Sequence, residues 1–200
     1  VEEVEKEIPM QSVHAPHTHH PTPTEGRALT ATAISATLHC LTGCAIGEVA
    51  GMAIGTALGL STLATVALAV ALAFVFGYGL TSLPLLRAGF TPKAVLAVAL
   101  AADTLSIATM ELVDNLVMVA VPGAMEAGLG SILFWGSLSF ALAVAAVVTV
   151  PVNRYLIARG KGHAVVHQTG VHGGPPIPLV ATSTAAAFLF GTVVLAAEAI

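Results

Sequence analysis

Four side chains recur at four-residue spacing in one apolar stretch: Cys40, Cys44, Glu48 and Met52, with His39 beside the first. Thiolate, thioether and imidazole are ligands for Cu(I), Zn(II) and related soft or borderline ions. Two cysteines one helical turn apart could hold a soft metal, with Met52 or a residue from another helix completing the set. The spacing therefore predicts a metal site of Cys40, Cys44, His39, Glu48 and Met52, with Cu(I) first and Zn or Ni behind it. His39 lies about 100° from Cys40 around a helix, which makes it the weaker member. The competing reading is that each cysteine is a small apolar residue suited to tight packing.

A second chemical row lies farther along. Asp103, Met110, Glu111, Asp114 and Met118 fall within about 100° of arc on a regular helix, in a run otherwise dominated by Ala, Val and Leu. A charge at mid-membrane costs about 2.5–3.5 kcal/mol even on the gentlest scale. These carboxyls must therefore be protonated, hydrogen-bonded, hydrated or neutralised by a cation. They read as an ion or proton pathway, or else as a network tying helices together. A third group is histidine-rich: His14, His17, His19 and His20 near the start, and His163, His167 and His172 farther on. Clustered imidazoles could capture metal weakly, or serve only as solvated linkers.

The elements that must hold these residues are membrane spans. The chain is 56% hydrophobic and 9% charged, with mean hydropathy +0.90, whereas soluble domains carry about 25% charged residues. Five apolar runs, near 30–58, 62–86, 92–121, 131–157 and 177–198, are each long enough to span a hydrocarbon core. The expected fold is an all-α integral membrane bundle of about five transmembrane helices. Its parts are a disordered His/Pro/Thr-rich arm (1–28), a four-helix core (29–160), a His/Gly-rich loop (161–176) and a fifth helix (177–200). Arg27, Arg87, Lys93, Arg154, Arg159 and Lys161 all fall at one end of such a bundle. The positive-inside rule makes that end, the N-terminus and both histidine groups cytoplasmic, and the C-terminus external. Phe134 and Trp135 are expected at the outer interface and Tyr155 at the inner one.

Gly43, Gly47, Gly51, Gly55 and Gly59 repeat at strict four-residue spacing through the first span. Glycine costs about 1 kcal/mol in a helix interior, so the repetition predicts close approach by a neighbouring helix or subunit. If the first and third spans are neighbours, Asp103 lies near the level of Cys40 and Cys44, and Glu111 near Glu48.

The run His39-Cys40-Leu41-Thr42-Gly43-Cys44-Ala45-Ile46-Gly47-Glu48 resembles the opening motif of a bacterial integral-membrane family catalogued as domain of unknown function 4396. Ala102-Asp103-Thr104 through Asp114-Asn115 is similar to its second motif. Pro151-Val152-Asn153-Arg154 and Gly160-Lys161-Gly162-His163 are similar to its third. The resemblance covers residues 33–167 and implies a bacterial multi-span protein, with no chemistry attached.

Together these features predict a multi-pass protein of the bacterial inner membrane that binds or transports a transition-metal cation. Its expected partners are the bilayer, the ion, and a further copy or complex subunit. The alternatives are a proton- or cation-conducting channel, or a structural subunit docked through its glycine ridge. A net charge of −4 gives no reason to expect nucleic acid. No nucleophile–base–orienter set suggests an enzyme.

Overall fold

The computed structural model describes residues 25–171 and 177–198. Its elements are α1 (Gly26–Ala57), α2 (Thr62–Arg87), α3 (Pro92–Ala120), α4 (Ile132–Ala158), α5 (Ala164–Gln168) and α6 (Ile177–Glu198). No strand occurs among the described residues. Four helices, α1 to α4, are long and apolar enough to cross a membrane, and α6 adds a shorter apolar stretch. The protein is an all-helical integral membrane bundle. The observed helix limits lie close to the five apolar runs. α1 opens at Gly26, within the segment expected to be an arm, and the loop after α4 contains α5.

The helix ends follow from local chemistry. Ser61 and Thr91 accept hydrogen bonds from the amides of Ala64 and Ala94 (both 3.4 Å), which caps the starts of α2 and α3. α1 closes on Gly59, whose φ of +63° is the left-handed conformation that favours glycine. Around it, the Leu60 amide donates to the Gly55 carbonyl (2.9 Å) and the Gly59 amide to that of Thr56 (3.1 Å). This is the crossed bonding of a Schellman cap. Gly59 is thus a turn residue, not the fifth member of the ridge.

The other four glycines of the row do pack. α1 and α2 make the most extensive helix pair of the bundle, in antiparallel contact through Gly43, Gly47, Gly51 and Gly55. A Cβ at Gly43 would stand 2.6 Å from the Gly77 Cα. At Gly47 and Gly51 it would collide with the backbones of Ala73 and Ala69, and at Gly55 with the Thr65 side chain. The ridge therefore faces α2 of the same bundle and leaves no such face for another subunit.

This close approach brings α1, α2 and α3 to a common junction, and α1 also touches α3 directly. Leu38, Cys40, Cys44, Ile107 and Met110 share a buried cluster with Ala73 of α2 and Ala145 of α4. At one end, Leu29 and Ala33 of α1 meet Ile157 of α4 and Ala164 of α5. Phe134 is fully buried against Met118 and Leu138, so its ring packs inside the bundle and does not face lipid. Trp135, partly exposed, donates from Nε1 to the Leu129 carbonyl (2.8 Å). Tyr155 is exposed with the Arg159 guanidinium 3.7 Å above its ring.

Candidate functional site: a polar seam between α1 and α3

Parallel α1 and α3 set two levels of ionisable side chains against each other. At the first level Asp103, wholly buried at 0% exposure, is the hub. Its Oδ1 accepts from the Cys40 thiol (3.7 Å) and lies 3.3 Å from His163 Nδ1. The opposite oxygen, Oδ2, has no partner. His39 points to α2, where its Nε2 meets the Thr81 hydroxyl (3.1 Å), while its Nδ1 is unpartnered. The rings of His39 and His163 stand 5.4 Å apart, and those of His163 and His167 5.9 Å.

His163 reaches this hub because the chain turns back after α4. Gly160 and Gly162 adopt φ of +67° and +59°, reversing the path so that α5 lies on α3 with Ala164 and Val166 buried. A polar clasp fixes the three helices around it. Asn153 of α4 donates from Nδ2 to Thr37 of α1 (2.9 Å) and to Ser106 of α3 (3.1 Å). Each such interhelical bond contributes about 0.6–2 kcal/mol in a membrane bundle.

At the second level, Glu48 of α1 and Glu111 of α3 are electrostatic neighbours, with Asp114 beside Glu48 and Cys44 beside Glu111. All four are buried. One oxygen each of Glu48 and Asp114, and both of Glu111, lack a hydrogen-bond partner. The Lys and Arg side chains of the four long helices, Arg27, Arg87, Lys93 and Arg154, belong to the other end of the bundle. Three unneutralised carboxylates in hydrocarbon would each cost several kcal/mol, so protons, water or a cation must satisfy them.

The expected pairing of levels, Asp103 with Cys40 and Glu111 with Glu48, is therefore what the bundle contains. The expected ligand row is divided. Cys40 belongs to the Asp103 hub and Glu48 to the carboxyl group, with Cys44 between them. Met52 packs at the far end of α1 with the cluster of Met118 and Phe134, whereas Met110 joins the cysteines. His163 and His167 lie at the hub rather than in a free loop. His14, His17, His19, His20 and His172 fall outside the described residues. Among the described residues, no three His, Cys, Asp or Glu side chains stand in ready-made metal geometry. The sequence shows Asn153 and Ser106 only as members of family motifs, and gives no role to them, Thr37 or Thr81. An Asn within an apolar span was the available signal.

The fold and the seam define a multi-span helical membrane protein with ionisable groups in its interior. The family model described as a domain of unknown function (DUF4396) matches residues 30–162, and the chain belongs to that family. The match takes in every seam residue from His39 to Asn153 and ends one residue before His163. No curated protein and no solved structure matches the chain.

Proposed function

We propose that this protein carries protons across a bacterial cytoplasmic membrane along the seam between α1 and α3. The observation that supports this reading is the group of Glu48, Glu111 and Asp114, buried together with unpartnered oxygens and no cationic side chain among them. Carboxyls in that setting exchange protons with whatever reaches them. Cys44, Cys40, Asp103 and His163 continue the line of exchangeable groups toward the basic end of the bundle. The positive-inside rule makes that end cytoplasmic.

A second reading, transport of a transition-metal ion, draws on the Cys40 and Cys44 sulfurs, which share a buried cluster with Met110. Cu(I) would use those soft donors. The two readings separate on substitution. Purified protein in liposomes enclosing a pH-sensitive dye, with the membrane potential clamped, is expected to pass protons. Glu111→Gln is expected to abolish that flux, and Cys44→Ser, whose hydroxyl keeps an exchangeable proton at that point of the line, to retain it. Flux unaffected by Glu111→Gln contradicts the proton reading.

A further inference from the structure

We propose that Arg154 and Arg159 form a binding site for the phosphate headgroup of an anionic phospholipid, in a cavity between α1 and α4 at the basic end of the bundle. Depth in the membrane comes first. α4 has 27 residues and so runs about 40 Å, against a hydrocarbon core of about 30 Å. Its ends therefore reach the headgroup layers. Pro151, Arg154, Tyr155 and Ala158 lie on its last two turns and Arg159 caps it. With Leu29 of α1 they line a cavity of about 340 Å³, a size typical of ligand sites between helices, about 300–1,000 Å³.

The walls divide by chemistry. Leu29, Pro151 and Ala158 offer apolar surface to the glycerol and the first methylenes of the acyl chains, while the charge comes from the two arginines. A guanidinium stays protonated, and its planar fork matches phosphate oxygens two at a time. Among the described residues the ion pair is that of His163 with Asp103, which leaves both arginines without a carboxylate partner. The Arg159 guanidinium rests 3.7 Å from the centre of the Tyr155 ring, so part of its ordering precedes binding. Tyr155 itself is exposed, as suits an aromatic ring at headgroup level. Basic cavities between membrane helices on the cytoplasmic side fit anionic headgroups, and the positive-inside rule assigns this end to that side. A zwitterionic lipid brings its own cation to the arginines and loses the advantage.

This site shares no residue with the seam assigned to proton movement, and its test reads lipid directly. Full-chain protein in detergent micelles holding equal phosphatidylglycerol and phosphatidylcholine is followed by native mass spectrometry. Folding of every variant is checked by circular dichroism. Wild type is expected to retain phosphatidylglycerol in preference. Each basic residue near an anionic headgroup contributes about fivefold in affinity. Arg154→Gln with Arg159→Gln should therefore weaken phosphatidylglycerol binding about thirtyfold and remove the preference. Arg87→Gln with Lys93→Gln takes the same charge from the same end but outside the cavity, and should change binding by less than about twofold because salt screens distant charges. Equal retention of the two lipids by wild type overturns the site. Equal losses in the two double variants overturn it as well, since diffuse attraction would then suffice. Displacement of the lipid by inorganic phosphate, beyond that by chloride at equal ionic strength, would assign the cavity to a soluble anion and overturn it too.

Discussion

Replacing Gly47 by alanine tests the helix contact on which the seam depends. The added Cβ would collide with the Ala73 amide nitrogen and Cα and with the Leu72 carbonyl carbon. Backbone atoms cannot rotate aside, so α1 and α2 must separate by on the order of 1 Å to restore ordinary contact distances. Overpacking of this kind costs about 1–3 kcal/mol. It is partly offset by the gain of about 1 kcal/mol when alanine replaces glycine in a helix. Gly79→Ala is the matched control, because a Cβ there meets nothing within 4 Å and its helix is the partner α2. The propensity gain is common to both variants and cancels in their difference, leaving the clash alone. Gly47→Ala should therefore be about 1–3 kcal/mol less stable than Gly79→Ala. Reversible unfolding in mixed micelles, followed through the single Trp135, measures the difference. Ala73→Gly should not rescue the loss, since the obstructing atoms are backbone. Gly47→Ala as stable as Gly79→Ala would refute the account of the ridge.

Other substitutions probe the remaining contacts. Asn153→Ala should lose about 1–4 kcal/mol by removing two interhelical hydrogen bonds; no change in micelle unfolding would mean the clasp is not formed. Phe134→Ala should cost about 3–5 kcal/mol as a buried core truncation, far more than Trp135→Ala, and equal losses would contradict the interior position of Phe134. Cys40 and Cys44 are buried and unbridged, so maleimide labelling in folded protein should be slow and become rapid on denaturation. Rapid labelling before denaturation would contradict their burial. Gly162→Ala strains a residue at φ +59° and brings its Cβ to 3.0 Å from the Leu156 side chain. It should lower stability by about 1–2 kcal/mol in micelle unfolding, and no loss would contradict the chain reversal after α4.

Much of this architecture was legible because a membrane imposes lengths. Twenty-odd apolar residues between turn signals define a span whatever its neighbours, and the limits of α1 to α4 follow. The glycine period of α1 announced a close partner, and parallel spans with comparable midpoints paired Asp103 with Cys40. Rotation was harder to read. A four-residue row drifts about 40° per step, so Met52, three steps beyond Cys40, has turned about 120° from it and faces another cluster. Met110 took its place among the cysteines. His163 was beyond reach, because its position depends on two left-handed glycines and on α5 settling against α3. The same applies to Asn153, whose partners lie 116 and 47 residues away. Phe134 and Trp135 are adjacent aromatics whose composition cannot distinguish buried from interfacial.

The central claim is that the buried carboxyls of the seam exchange protons across the membrane. It is tested most directly by imposing a pH step on liposomes that contain either wild-type protein or the triple variant Glu48→Gln, Glu111→Gln, Asp114→Asn. Equal amounts of folded protein are reconstituted in each. The account predicts rapid internal pH change with wild type and only the lipid leak with the variant. Indistinguishable traces, both at the leak rate or both above it, would contradict it.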